Sequence, residues 1–214
     1  MTPPSGARSA GYPSGARVKA ISHLSPALTS GQQHDAAEAL EVILSANATH
    51  EPPAARVLGD IADVITCRTC GSRAVTTRPL APPILQVPVT ALSLQSCLTN
   101  HLLPQPLEGR RCSECNTVSS EIVTELLTTP QAVTIQLLRF QQGAQVRKNT
   151  SNVTITPTIH MDDVTWHLTG IVNHVGTLHQ GHYTAFIRHH RRWFRRDDSR
   201  VVEVTTETAF SSSE

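Results

Sequence analysis

The chain shows two spacings of apolar residues, which predict helices near its start and strands after them. In segment 35–45 (DAAEALEVILS) the apolar positions are Ala36, Ala39, Leu40, Ile43 and Leu44. Spacings of three and four place these side chains on one side of a helix. Ser30 is the expected N-cap, and Pro52-Pro53 excludes a continuation of the helix. A second helix is predicted near 92–103.

Most of the remaining chain has the short β-branched runs that are typical of strands. The predicted strands are 83–88, 132–140, 164–175, 182–188 and 201–204. Because strands follow the helical start in runs and do not alternate with helices, the predicted fold class is α+β, with an antiparallel sheet late in the chain. Residues 1–19, in which Pro-Ser-Gly-Ala-Arg occurs twice, are predicted to be a disordered low-complexity tail.

Length and charge exclude several classes of function. A chain of 214 residues can bury a real core in one domain or two. Its 18 Lys+Arg and 17 Asp+Glu leave a net charge of +1, which offers no strongly basic face for nucleic acid. The apolar runs are too short for a membrane span, and the N-terminus has no secretory pattern. We therefore expect an intracellular protein, cytoplasmic or nuclear, with neither nucleic acid nor membrane as partner.

The five cysteines are the strongest chemical signal. An odd number without a secretion signal argues against a disulfide framework. Cys67–Cys70 and Cys112–Cys115 are two Cys-x-x-Cys turns that together supply the four thiolates of a tetrahedral Zn²⁺ site. With no position left for water, that metal would be structural. The alternatives are two unrelated buried pairs or a redox motif. Cys97, on the apolar side of the second helix, is predicted to be a small buried residue.

A predicted β-hairpin brings a histidine next to two carboxylates. Segments 182–188 and 193–198 flank a short polar turn, and residues whose numbers sum to about 380 would then lie opposite each other. His182 would face Asp198, within one register step of Asp197. A carboxylate that holds the imidazole Nδ1–H would leave Nε2 free as a general base. The alternative is that His182 is an ordinary sheet histidine and that Asp197-Asp198 is an acidic turn. Without further evidence, the proximity of these residues favours this alternative.

Together these segments resemble the ubiquitin-specific protease family, which are papain-like cysteine peptidases that remove ubiquitin. Segment 33–40 (QHDAAEAL) is similar to the family's Gln-Gln-Asp-Ala-His-Glu-Phe-Leu helix, and the two Cys-x-x-Cys turns are similar to its zinc ribbon. Segment 130–140 (PQAVTIQLLRF) and the run from 171 to the Asp197-Asp198 pair are similar to its later strand and its histidine box. The resemblance covers roughly residues 20–205, in the family's order.

The resemblance implies a papain-like α+β fold with zinc-ribbon fingers (about 61–125), a palm β-sheet (about 126–205), a thumb that is largely missing, and a tail over 206–214. It implies His182 as general base, Asp197 as the acid that orients it and Asp198 as a supporting carboxylate. The implied activity is thiol-dependent hydrolysis of isopeptide bonds at the ubiquitin C-terminus, with ubiquitin or ubiquitinated proteins as partners. The implied ligands of a structural Zn²⁺ are Cys67, Cys70, Cys112 and Cys115.

The family's Asn-x-x-x-x-Cys nucleophile box has no counterpart here, because the residues before Gln33 include neither Cys nor Asn. Loss of a triad nucleophile costs about 10⁶ in turnover in a serine protease, so the chain as given is expected to be inactive. Ala39 and Arg196 also replace aromatic residues of the family. Three explanations compete: a truncated active enzyme, a pseudo-enzyme that binds ubiquitin or scaffolds a partner, or a zinc-ribbon module of another kind. The low-complexity start and the retained His182–Asp197 pair favour the first.

Overall fold

The computed structural model describes residues 23, 25, 28, 33–47, 59–80, 84–127, 130–141, 147–177 and 180–211, so the predicted 1–19 tail lies outside the described residues. In chain order the elements are α1 (Ala36–Asn47), β1 (Gly59–Cys67), β2 (Arg73–Leu80), β3 (Ile84–Pro88), α2 (Leu94–Leu102), β4 (Gln105–Leu107), β5 (Ser120–Leu126), β6 (Thr134–Leu138), β7 (Phe140–Gln141), β8 (Arg147–Lys148), β9 (Thr158–Met161), β10 (Val164–His167), β11 (Gly170–Gly176), β12 (Gly181–His189), β13 (Arg192–Asp197), β14 (Arg200–Val204) and α3 (Thr206–Ser211). None of the helices formed by these residues has the length and hydropathy that a membrane span requires.

Both predicted helices are present. α1 begins at Ala36, and Asp35 Oδ1 accepts hydrogen bonds from the backbone N–H groups of Ala37 (2.7 Å) and Glu38 (3.2 Å). A side-chain acceptor in this position satisfies N–H groups of the first turn that have no partner within the helix. Asp35 is therefore the N-cap, and the prediction of Ser30, which lies outside the described residues, is corrected.

The fingers consist of a four-stranded antiparallel sheet in the order β2-β1-β5-β4. Ile61, Ala62 and Val64 of β1 are buried on or beside this sheet. The first Cys-x-x-Cys turn connects β1 to β2, and the second lies in the loop between β4 and β5. Because β1 and β5 are paired up to Cys67 and Ser120, the two turns meet at the same end of the sheet.

The late sheet is antiparallel throughout, in the order β11-β12-β13-β14, as predicted. The predicted strand 164–175 is in fact two strands, because the chain leaves the β9–β10 hairpin at Leu168 and enters this sheet at Gly170. One parallel pair, β3 with β6, was not predicted. A parallel pair needs a long crossover, and the connection 89–133 contains α2, β4 and β5.

Two apolar cores hold these parts together. The first is formed by the buried side of α2, with Cys97 and Leu98, against Val87 of β3. All three residues are fully buried, so the prediction for Cys97 is confirmed. The side chain of Trp166 packs against this first core. The second core lies on the late sheet and consists of Ile171, Phe186, Trp193 and Ala209.

The predicted tail after residue 205 begins with helix α3, which packs on the late sheet. Ala209 is fully buried, and the Phe210 ring meets the Trp193 ring edge-on with centroids 5.5 Å apart. The Thr205 hydroxyl accepts a hydrogen bond from the Thr208 N–H (3.2 Å) at the start of the helix. Two adjacent apolar residues therefore give this short segment a face to bury, which corrects the prediction of a tail over 206–211.

Candidate functional site

The hairpin of β12 and β13 brings His182 and Asp197 into contact. Paired residues such as Ile187 and Phe194 have numbers that sum to 381, one more than the predicted value. His182 Nε2 lies 2.6 Å from Asp197 Oδ1. The structure therefore joins the two residues that the family resemblance implied as base and acid.

The ring nitrogen that contacts the carboxylate is Nε2, so the expectation that Asp197 holds Nδ1 is wrong. Nε2 is the nitrogen farther from the backbone, and His182 lies beyond the last paired residues of the hairpin, so only the distal side of the ring reaches Asp197. An ionised carboxylate only accepts hydrogen bonds, so Nε2 carries the proton in the neutral ring. Nδ1 is then the nitrogen that can take up a proton.

Asp197 has a second partner that sequence reasoning missed. The Arg195 guanidinium lies 2.9 Å from Asp197 Oδ2, while Oδ1 faces His182. The hydrogen bond from His182, helped by the positive charge of Arg195, lowers the pKa of Asp197 below its usual value. The available signal was the spacing of two along one strand, which puts both side chains on the same face of the sheet.

Asp198 occupies the turn that follows β13, with a left-handed backbone (φ 48°) that Asp tolerates better than most residues. One of its carboxylate oxygens lies within 4.8 Å of the polar atoms of His182 and Asp197. Its side chain is exposed, and its role as a supporting carboxylate stays a prediction.

Gln33 fixes the residue before His182. Its side-chain Nε2 donates to the Gly181 carbonyl (3.0 Å), and its Oε1 accepts from the Gly181 N–H (2.9 Å). A Cβ on residue 181 would collide with the His174 ring and with the Val175 carbonyl, so Gly is required there. The two hydrogen bonds tie the segment before α1 to the start of β12, across 148 positions of sequence.

A cavity of about 240 Å³ opens between the start of α1 and the late sheet. Among its charged lining residues are Asp35, Arg139 and Lys148. The Tyr183 hydroxyl donates to Asp35 Oδ2 (3.4 Å), and the rings of His174 and Tyr183 pack with centroids 4.6 Å apart. Burial, helped by the negative charge of Asp35, raises the pKa of Tyr183. The cavity thus combines apolar walls with charges of both signs.

The four cysteines of the two turns converge on one point, as predicted. Sγ of Cys67 lies 3.6 Å from that of Cys115, and Sγ of Cys70 lies 3.7 Å from that of Cys112. All four sulfurs lie within 4.8 Å of one another. A tetrahedron with Zn–S bonds of 2.3 Å has S–S edges of about 3.8 Å. The donor set therefore fits Zn²⁺, and two unrelated pairs are excluded.

Local hydrogen bonds favour the thiolate form of Cys67 and Cys112, one cysteine of each turn. The backbone N–H of Cys70 leads the interactions that lower the pKa of Cys67 to about 6, and the Ser72 hydroxyl leads those that lower the pKa of Cys112. Each turn is closed by a left-handed residue, Gly71 (φ 72°) in one and Asn116 (φ 56°) in the other. The resulting backbone arrangement points N–H groups at the sulfurs before any metal binds.

Known proteins with similar sequences carry one family name. A probable ubiquitin carboxyl-terminal hydrolase 8 of Schizosaccharomyces pombe is 28% identical over 164 residues, which are 72% of this chain and 35% of that protein. The ubiquitin carboxyl-terminal hydrolase nonstop of Drosophila melanogaster is 25% identical over 173 residues, 69% of this chain and 35% of that protein. The chain thus spans about a third of the length of these relatives.

Solved structures show the same fold. A SAGA Ubp8/Sgf11/Sus1/Sgf73 DUB module bound to ubiquitin aldehyde matches with a TM-score of 0.77 and 21% identity, over 92% of this chain and 51% of that one. A related DUB module bound to monoubiquitin matches with a TM-score of 0.78 and 22% identity, over 92% of this chain and 50% of that one. The α+β papain-like fold with zinc-ribbon-type fingers is thereby confirmed.

The sequence also matches the family described as "Ubiquitin carboxyl-terminal hydrolase" over residues 6–214. This match covers nearly the whole chain and includes the fingers, the His182–Asp197 pair and the Gln33 segment. The chain belongs to the ubiquitin carboxyl-terminal hydrolase family.

Proposed function

We propose that this chain provides the ubiquitin-binding palm and fingers, together with the base and the acid, of a cysteine-type deubiquitinase that cleaves isopeptide bonds at the ubiquitin C-terminus. The observation that carries the proposal is the 2.6 Å contact between His182 Nε2 and Asp197 Oδ1. It leaves Nδ1 free to accept a proton from a thiol, which is how an adjacent base activates a nucleophile. The names of the relatives support the choice of substrate.

The residues of the site have distinct roles in this proposal. His182 accepts the thiol proton at Nδ1 and later returns it to the leaving amine. Asp198 adds a second negative charge nearby. The cavity lined by Asp35 and Lys148 would receive the peptide tail that leads to the scissile bond.

The chain's own cysteines do not supply the thiol. Four of the five sulfurs lie within 4.8 Å of one another in the fingers. The fifth, Cys97, is on the buried side of α2, is fully buried and donates to the Ala91 carbonyl (3.2 Å). We therefore propose that this 214-residue chain by itself binds ubiquitin without cleaving it. The lack of a reactive thiol among the five cysteines also favours a ubiquitin-binding pseudo-enzyme, which is the second candidate.

The cofactor in this proposal is a single structural Zn²⁺ held by the four finger cysteines. Four thiolates complete the coordination shell, so the ion would not bind water or substrate. It would join the β1–β2 turn to the loop between β4 and β5 and so hold the end of the fingers in place.

The decisive experiment combines labelling and binding. Ubiquitin with an electrophilic C-terminus is expected to leave the zinc-loaded chain unlabelled, whereas ordinary ubiquitin is expected to bind with micromolar affinity in calorimetry. Ubiquitin that lacks its C-terminal Gly-Gly serves as the control and is expected to bind more weakly, because the tail contacts the cavity.

Three results would count against the proposal. Labelling of Cys97 would contradict the proposal that none of the chain's own cysteines supplies the reactive thiol. Absence of ubiquitin binding by the zinc-loaded chain would contradict the function itself. Equal affinity for ubiquitin with and without the Gly-Gly end would contradict the role of the cavity.

A further inference from the structure

The late sheet has one buried face and one exposed face. Ile171, Phe186 and Trp193 are buried on the inner face. Directly paired residues of neighbouring strands share a face, so the register defines two rows of side chains on the other face. These eight positions, which we call the outer face, are Val172, Ala185, Arg196 and Val201 in one row and Gly170, Ile187, Phe194 and Glu203 in the next.

The outer face is apolar although it is exposed. Val172 is 61% exposed, Val201 45% and Ile187 39%, and Ala185 and Phe194 are half-buried. An antiparallel sheet whose second face meets only water usually carries polar residues there. Five of these eight positions are apolar instead, and a contiguous apolar patch of this kind is typical of a surface that contacts another protein.

One unpaired charge defines what can cover this surface. Arg196 lies between Ala185 and Val201 in the first row, and the described part of the chain places no carboxylate within ion-pair distance of it. Arg192, beyond the second row, is paired with Glu203 at 3.2 Å. Covering Arg196 without a partner would leave a buried, uncompensated charge. The occupant must therefore bring a carboxylate to this position.

That requirement excludes other occupants. A second copy of this chain that used the same face would bring the same arginines, and its carboxylate there, Glu203, is already paired with Arg192. The chain's own segments outside the described residues do not fit. Residues 1–22 contain Arg8, Arg17 and Lys19 and no Asp or Glu, segment 48–58 has one Glu and one Arg, and segment 212–214 has a Glu but no apolar residue. Nucleic acid would match Arg196 and not the apolar rows.

We propose that the outer face is the docking surface for a separate protein, which binds through a segment that presents apolar side chains around at least one Asp or Glu. Val172 lines both this face and the cavity beside Tyr183, whereas His182 and Asp197 alternate onto the opposite face of the sheet with Phe186 and Arg195. The surface is separate from the fingers, and the inference goes beyond the proposed binding of ubiquitin.

Two synthetic amphipathic helices test this proposal. Both have Leu along one side, and the other positions are Glu in one peptide and Lys in its counterpart. The Glu peptide is expected to bind the zinc-loaded chain in calorimetry, more weakly at high salt, with NMR shift changes at Val172, Ile187 and Val201. Arg196→Glu is expected to weaken this binding at least about tenfold and to create binding of the Lys peptide, because the charge complementarity is reversed.

Matched variants test whether peptide binding depends on the outer face itself or only on charge and exposed apolar area elsewhere on the chain. Arg191→Glu makes the same charge change at the hairpin tip, and Val75→Ser makes a similar polar change on exposed β2; both are expected to leave the affinity within about threefold. Ile187→Ser is expected to weaken it. Arg196→Gln, which removes the charge without reversing it, replaces Arg196→Glu if that variant does not fold, and is expected to weaken the Glu peptide without creating binding of the Lys peptide.

Several outcomes would overturn the proposal. These are no binding of the Glu peptide at millimolar concentration, equal binding of both peptides, a dimer that Ile187→Ser dissociates, or binding of duplex DNA that Arg196→Glu abolishes. Ubiquitin affinity, measured on Arg196→Glu and Ile187→Ser, is expected to stay unchanged. The docking surface and the ubiquitin-binding function can therefore fail independently.

Discussion

Asp197 is held by two donors of different chemistry, an imidazole N–H at one oxygen and a guanidinium at the other. The hairpin pattern in the sequence predicted the approach of His182 and the acidic pair. It could not predict which ring nitrogen makes the contact, because this depends on where pairing ends relative to His182. Arg195 was missed although its spacing of two from Asp197 places both side chains on the same face of a strand.

The lowered pKa of Asp197 leads to a prediction about acid stability. Because its pKa in the folded chain lies below the ordinary value of 3.8, ionised Asp197 stabilises the fold above that pH, and this contribution is lost as the pH falls through the lowered value. An NMR titration of the carboxyl carbon is expected to give a midpoint below 3.8. His182→Ala is expected to raise it, because the hydrogen bond from His182 is the main cause.

The control for this titration is His190→Ala, which removes an exposed histidine from the tip of the same hairpin. It is expected to leave the midpoint of Asp197 in place. A midpoint that His182→Ala does not move would mean that Arg195 alone sets the ionisation of Asp197.

At the scale of elements, local pattern predicted the two longer helices and the strands of the late sheet, but it did not predict the finger strands β1, β2, β4 and β5. α1, α2 and the late sheet follow from apolar spacing and β-branched runs. The β9–β10 hairpin was missed because its turn is Asp162-Asp163, both left-handed (φ 50° and 60°), instead of the common Asn-Gly or Asp-Gly. The parallel pair β3–β6 depends on a crossover of more than forty residues, which no local pattern encodes.

The link between Gln33 and β12 is another long-range contact, and hydrogen exchange can test it. Gln33→Ala is expected to speed exchange of the Gly181 amide by at least about tenfold, because that N–H loses its acceptor. Gln33→Glu keeps an acceptor for the N–H but removes the donor to the Gly181 carbonyl, so an intermediate rate is expected.

Gln95 offers a matched control, because its amide makes the same two kinds of hydrogen bond to the backbone of His160 (2.9 and 2.7 Å). Gln95→Ala is expected to speed exchange at His160 and to leave Gly181 unchanged. If Gly181 exchanges at the same rate in all three variants, Gln33 does not fix the start of β12.

On the scale of the whole molecule, the fingers and the palm are stabilised in different ways. The two apolar cores lie outside the finger sheet, in β3, α2 and the elements after residue 130, whereas the far end of the fingers carries the four cysteines and exposed strands such as β2. The spacing of the cysteines predicted the metal site, and the division into fingers and palm was an implication of the family resemblance. The sequence did not predict the outer face, because exposure of an apolar strand residue depends on what covers the sheet.

Metal removal is therefore expected to affect the fingers and to spare the palm. Metal analysis should find one zinc per chain, and Cys112→Ser should lose it, because three thiolates no longer complete the shell. Hydrogen exchange is then expected to rise in β1, β2 and β5, while β12 and β13 keep their protection.

Cys97→Ala is the control for a lost thiol and is expected to keep the zinc, because Cys97 lies in the first core. A wild-type chain that binds no zinc, or a palm that loses protection together with the fingers, would contradict this division of the molecule.

The two cores have a practical consequence through their aromatic residues. The sequence contains two tryptophans, of which Trp166 packs against the first core and Trp193 is part of the second. Indole emission shifts to longer wavelengths when the ring enters water, so the molecule has one intrinsic fluorophore for each core. Replacing either indole with Phe leaves a spectrum that follows the other core alone, and the order in which the cores melt can then be measured without an added dye.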